Sequence, residues 1–64
     1  MQVFIQKTNT TVEHESNGSV RELLISLSIN PEFVIVAKDG VLVTLDDSVE
    51  GAERIDILSV VSGG

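Results

Sequence analysis

The chain contains no cysteine, no tryptophan and no tyrosine, one proline, one histidine and four basic residues among 64 positions. Each scarcity removes a class of protein. Without thiols there is no disulfide framework, no cysteine nucleophile and no thiolate metal site. His14 has no second imidazole or thiol to work with, so it is read as a strand residue without a chemical role. With no convergent set of acid and base, an enzyme in its own right is not expected. Ten acids against four bases give a net charge of −6. That balance disfavours nucleic acid and anionic membrane, which reward Lys and Arg, and suits either a basic protein partner or simply solubility, the more common explanation. No basic n-region followed by an apolar run, and no long apolar span, opens the chain, so a cytoplasmic location is expected.

What remains is a small globular chain. A hydrophobic fraction of 42% with 22% charged residues is too apolar for disorder. A chain of this size buries only about 60% of its unfolded surface, which suffices for one small core.

Met1 to Thr8 carries the aromatic and β-branched run Val3-Phe4-Ile5 between glutamines and reads as a strand. Alternation puts Val3 and Ile5 on one side and Gln2, Phe4 and Gln6 on the other, the solvent side, where Phe4 is a partly covered surface ring. Asn9-Thr10 reads as a turn, with Asn able to adopt the left-handed conformation or to bond its own backbone, and Thr11 to Glu15 returns as a polar strand. After Asn17-Gly18, Ser19-Val20-Arg21-Glu22 fits a capping box. Val20, Leu23, Leu24 and Leu27 then recur as one apolar helical stripe, with Ile25 off it. Asn30-Pro31 is expected to close this short helix. Phe33 to Lys38 is an apolar run too dense for simple alternation, which predicts a strand covered on both faces or one with an outward apolar patch. Asp39-Gly40 signals a type I′ hairpin into Val41-Leu42-Val43. The acidic connection from Asp46 to Glu53 holds one anchor, Val49, and lacks the spacing of a calcium loop.

The last strand starts at Arg54. Arg54, Asp56, Leu58, Val60 and Ser62 share one face, while Ile55, Ile57, Ser59 and Val61 share the other. The face that begins with Arg and Asp points to water, which leaves Leu58, Val60 and Ser62, beside Phe4, as an exposed patch of the kind that marks a partner surface. The sequence ends in Gly63-Gly64, a segment without side chains that carries a carboxylate, anionic at neutral pH. The elements read strand, strand, helix, strand, strand, strand. One helix across a small mixed sheet gives two layers and one core, with the first and last strands parallel at the centre.

This order, the length and the Gly63-Gly64 end resemble the ubiquitin-like β-grasp proteins. Met1-Gln2-Val3-Phe4-Ile5 is similar to the start of ubiquitin. The ending Arg54-Ile55-Asp56-Ile57-Leu58-Ser59-Val60-Val61-Ser62-Gly63-Gly64 is similar to that of the sulfur carriers ThiS and MoaD and the archaeal small modifier proteins. Those carriers usually have a Gly-Asp pair before the last strand, where this chain has Gly51-Ala52-Glu53. The resemblance implies an α+β fold, a β-grasp sheet of four to five strands with one helix packed across it, as residues 1–62, followed by a flexible Gly-Gly tail, 63–64. It implies that Gly64 is an acyl donor, with Gly63 as its slender neighbour. An E1-like enzyme, using its own ATP and Mg²⁺ while this chain binds no cofactor, adenylates that carboxylate. A sulfur donor then converts it to a thiocarboxylate for an acceptor enzyme, or a lysine of a target protein takes it as an isopeptide. Lys7 and Lys38, both read as exposed, are candidate acceptors within the chain itself. A monomer is expected. The absence of Cys separates the chain from the iron–sulfur β-grasp proteins and places any carried sulfur on an atom other than a thiol. The alternative is a plain β-grasp interaction domain whose Gly-Gly end is incidental.

Overall fold

The computed structural model describes residues 1–15 and 18–60. The readings made for Asn17, Val61, Ser62, Gly63 and Gly64 lie outside the described residues. Five strands form one mixed sheet: β1 (Gln2–Ile5), β2 (Thr10–Glu13), β3 (Val34–Lys38), β4 (Val41–Val43) and β5 (Arg54–Ser59), in the order β2-β1-β5-β3-β4. Helix α1 (Val20–Ser26) supplies the second layer. The first and last strands do lie side by side in parallel, Val3 opposite Ile55 and Ile5 opposite Ile57, and β5 pairs antiparallel with β3 on its other side. The fold is the α+β ubiquitin-like β-grasp that the element order implies.

The inner face of the sheet meets the apolar stripe of the helix. Val3, Val36, Ile55 and Ile57 from the strands close on Val20, Leu23 and Leu24, with Val49 from the acidic connection filling the remaining side. All are buried. At about 1.5–3 kcal/mol for each fully buried aliphatic side chain, this cluster is the main stabilising term of so small a domain. Leu27, expected on the stripe, is the helix C-cap and packs half-buried against the cluster's edge. Ile25 is 64% exposed.

Local chemistry explains the ends of α1. The Ser19 hydroxyl accepts from the Glu22 N–H at 3.3 Å, and the Glu22 carboxylate folds back over Gly18, where a Cβ would collide with it. The first-turn N–H groups of Val20 and Arg21 donate to the Asp47 and Leu45 carbonyls at 2.9 and 3.0 Å, so the acidic connection is stitched to the helix start. Asp47 itself accepts from the Thr44 N–H at 2.7 Å. The helix stops before Asn30-Pro31. Ser28 takes a left-handed φ of 60°, its N–H donates to the Ile25 carbonyl, and the Ile29 N–H reaches back to Leu24. This is a Schellman cap with serine in the position that glycine usually fills. Asn30-Pro31 instead opens a 3₁₀ turn, Pro31–Phe33, capped by the Asn30 side chain on the Glu32 N–H. Phe33 therefore belongs to that turn and not to β3.

The N-terminal hairpin is shorter than its sequence suggests. β1 ends at Ile5 and a 3₁₀ turn, Gln6–Thr8, follows, with Asn9 left-handed at φ 51° and Thr10 already in β2. His14 lies just past β2, where its Nε2 is 3.2 Å from the Ser26 hydroxyl and its Nδ1 is buried without a partner. The Asp39-Gly40 turn has φ values of 49° and 86°, both left-handed as a type I′ hairpin requires.

Candidate docking face and C-terminal exit

The uncovered face of the sheet is read directly from register. Its middle row runs Thr11, Phe4, Asp56, Ala37, Leu42 across β2, β1, β5, β3 and β4. The row nearer the end of β5 contains Leu58 opposite Ile35. The row nearer its start contains Gln2 beside Arg54. The face is thus split. One part is apolar: Leu58 half-buried, Ile35 42% exposed and Leu42 67% exposed around the buried Ala37. The other is an ion pair laid on a ring: Arg54 Nε lies 2.8 Å from Asp56 Oδ1, and its guanidinium carbon is 5.5 Å from the Phe4 ring centroid. Phe4 is the partly covered ring expected of it, and the cation above it makes it the amphipathic edge of the patch and not its centre.

Val60 lies one residue past the end of β5 and is 49% exposed. Its N–H donates to the Phe33 carbonyl at 3.1 Å, which carries the β3–β5 pairing beyond the last strand residue. The Ser59 N–H donates to Gln6 Oε1 at 2.9 Å, so the turn after β1 holds the end of β5 from its other side. Gln6 is exposed, as alternation had it, but it stands in the 3₁₀ turn and not in a strand, and its side chain acts as a clamp. Ser62, Gly63 and Gly64 lie outside the described residues. At this same exit a groove opens with apolar walls, Ile5, Leu27, Ile29, Phe33 and Val34, and Lys7 among its polar lining.

The start of β5 is held by a side chain. Asp39 Oδ1 accepts from the N–H groups of both Glu53 and Arg54, at 3.1 and 2.9 Å. Just upstream, Gly51 adopts φ 79°. The left-handed glycine that the last-strand turn needs is therefore supplied at position 51, which explains how Ala52 is accommodated after it. Lys38 is half-buried, not exposed as the sequence suggested. Its ammonium donates to the carbonyls of Ser48 and Glu50 at 3.3 and 3.2 Å, pinning the acidic connection. Ile35 and Leu42 belong to the apolar patch and were not singled out in the sequence. The density of the run from Phe33 to Lys38 signalled an outward patch, but only the register assigns Ile35 to it. Among the described residues no group of three or more His, Asp or Glu side chains could hold a metal ion, and no helix is long and apolar enough to cross a membrane.

Comparison with known proteins agrees with this architecture. The sequence model described as the ThiS family matches residues 2–64. An uncharacterized protein of Archaeoglobus fulgidus is 45% identical over 62 residues, covering 95% of this chain and 91% of that protein. The sulfur carrier protein TtuB of Thermus thermophilus is 40% identical over 53 residues, covering 83% of this chain and 82% of TtuB.

Proposed function

The chain belongs to the ThiS family, and on that premise we propose that it is a sulfur carrier whose working group is the Gly64 carboxylate. The observation that carries the reading is the family match, which runs through to the terminal Gly63-Gly64, together with the likeness to the sulfur carrier TtuB. A carboxylate is a poor electrophile. An E1-like enzyme overcomes this by bringing ATP and Mg²⁺: a carboxylate oxygen attacks the α-phosphorus, pyrophosphate leaves, and an acyl-adenylate results. A persulfide sulfur on a partner enzyme then attacks the acyl carbon and AMP departs with the C–O electron pair. Attack of a second thiol on the enzyme-side sulfur releases the Gly64 thiocarboxylate, ready for an acceptor enzyme. The same adenylate has a second fate, since a lysine amine of a target protein can displace AMP and form an isopeptide.

This chain's share of the work is presentation. Gly63 and Gly64 lack a Cβ and so suit a narrow active site. The exit is steadied by the Gln6–Ser59 and Phe33–Val60 hydrogen bonds. Leu58, Val60 and Ile35 form the apolar docking surface, with Phe4, Arg54 and Asp56 at its polar edge, an arrangement in which a few buried anchors carry affinity inside a polar rim. The net charge of −6 favours encounter with a basic enzyme surface. Adding one residue beyond Gly64 blocks the reactive group while leaving this surface intact. ATP–pyrophosphate exchange with the host's activating enzyme should be lost in that variant. Normal exchange would overturn the reading and favour a plain interaction domain.

A further inference from the structure

We propose that Lys7 is the amine through which this chain itself accepts an activated C-terminal acyl group, its own or that of a second copy; this rests on the reading of Gly64 as an acyl donor. The chain has three amines, Lys7, Lys38 and the amino group of Met1. Two are engaged. The Met1 amino group, on a residue whose side chain is only 4% exposed, donates to the His14 carbonyl at 3.2 Å and lies 3.7 Å from the Glu13 carboxylate. The Lys38 ammonium is held by two backbone carbonyls. Lys7 is exposed and has no hydrogen bond or ion pair from its side chain among the described residues.

Its surroundings suit an incoming acyl group. The 3₁₀ turn Gln6–Thr8 that carries Lys7 is fixed in place, since the Asn9 N–H closes it on the Gln6 carbonyl and the Gln6 side chain is bonded to the end of β5. Among the described residues that line the groove with Lys7 none is Asp or Glu, on a chain with ten acids. An acyl-adenylate, which carries a phosphate charge, therefore meets one cation and no acidic side chain among the described lining residues. Gly64 is five residues beyond Ser59, a reach of up to roughly 17 Å, so the chain's own terminus is a candidate donor as well as a neighbour's. In the reaction the unprotonated amine attacks the acyl carbon and a C–N bond forms. The C–O bond to AMP breaks, AMP leaves with the electron pair, and the nitrogen gives one proton to solvent.

The test supplies the activated acyl group chemically and so does not depend on adenylation. Full-length protein carrying a thioester at Gly64 is incubated alone, and its products are mapped by digestion and mass spectrometry. The amide at Lys7 should exceed that at Lys38, a side-chain amine of the same kind, by about tenfold, because Lys38 must first give up its hydrogen bonds. Lys7→Arg should remove most of the product. A product lighter than the free acid by one water identifies the chain's own terminus as donor, and a covalent dimer identifies a second copy. Equal labelling of Lys7 and Lys38, an unchanged yield in Lys7→Arg, or hydrolysis alone would overturn the proposal. Failure of ATP-dependent adenylation, measured separately, would overturn the Gly64 reading and leave this result to stand by itself.

Discussion

Asp39 offers the sharpest test of how the last strand is positioned. Its carboxylate oxygen accepts from the Glu53 and Arg54 N–H groups, and its own N–H donates to the Arg54 carbonyl at 2.9 Å. Asp39→Ala removes the acceptor from two backbone donors. Both are at the surface, where water replaces the carboxylate, so the loss is nearer ~1–2 kcal/mol for the two together than the full cost of buried orphans. Alanine also tolerates the φ of 49° less well than aspartate does, which adds a few tenths of a kcal/mol. The sum is about 1.5–2.5 kcal/mol, a fall in Tm of roughly 6–20 °C for a domain of this size. Asp39→Asn keeps an acceptor oxygen and the left-handed preference and loses only the charge, so it should cost less than about half as much. Far-UV circular dichroism through thermal and urea unfolding, with m unchanged, measures both. An alanine variant within about 0.5 kcal/mol of the parent, or an asparagine variant as damaged as the alanine one, would refute the reasoning.

Other outcomes are as definite. Ser28→Gly relieves a left-handed φ of 60° at the helix cap, worth about 1–2 kcal/mol, against a glycine entropy cost of about 0.5–1 kcal/mol, so a net gain near 0.5–1 kcal/mol should appear in the same unfolding curves. Ile35→Asp and Leu58→Asp, on the apolar part of the open face, should raise the KM for adenylation by roughly tenfold or more with little change in kcat, since each removes binding common to ground and transition states. Ile25→Asp, equally apolar but on the opposite side of the fold, should leave KM unchanged; a similar rise there would mean that bulk charge and not the sheet face is being read.

The sequence showed the architecture well because its signals were local and mutually consistent. The capping serine, the Val20–Leu24 stripe, the Asp39-Gly40 turn and the dense final strand all pointed to one helix on one mixed sheet, and the parallel pairing of β1 with β5 followed. The errors came where a side chain works over long sequence distance. Gln6 is exposed as alternation suggested, but its place in a 3₁₀ turn and its bond to Ser59, across 53 positions, carry no local signal. Lys38 looked exposed because the carbonyls that hold it arrive from a loop ten and twelve residues on. The helix ended early because a serine accepted the conformation usually left to glycine, which no propensity signals. For the candidate docking face, alternation placed Leu58, Val60 and Phe4 outward, but only register showed that Asp56 and Arg54 separate Phe4 from the apolar part and that Ile35 and Leu42 complete it.

The central claim is that Gly64 carries the sulfur. The direct measurement is the intact mass of the untagged protein isolated from its native host under non-oxidising conditions, with fragmentation to locate any change. The account predicts a species in which one terminal oxygen is replaced by sulfur, mapped to Gly64. Finding only the unmodified chain, even after adding the host's activating enzyme, ATP and a persulfide donor, would contradict it.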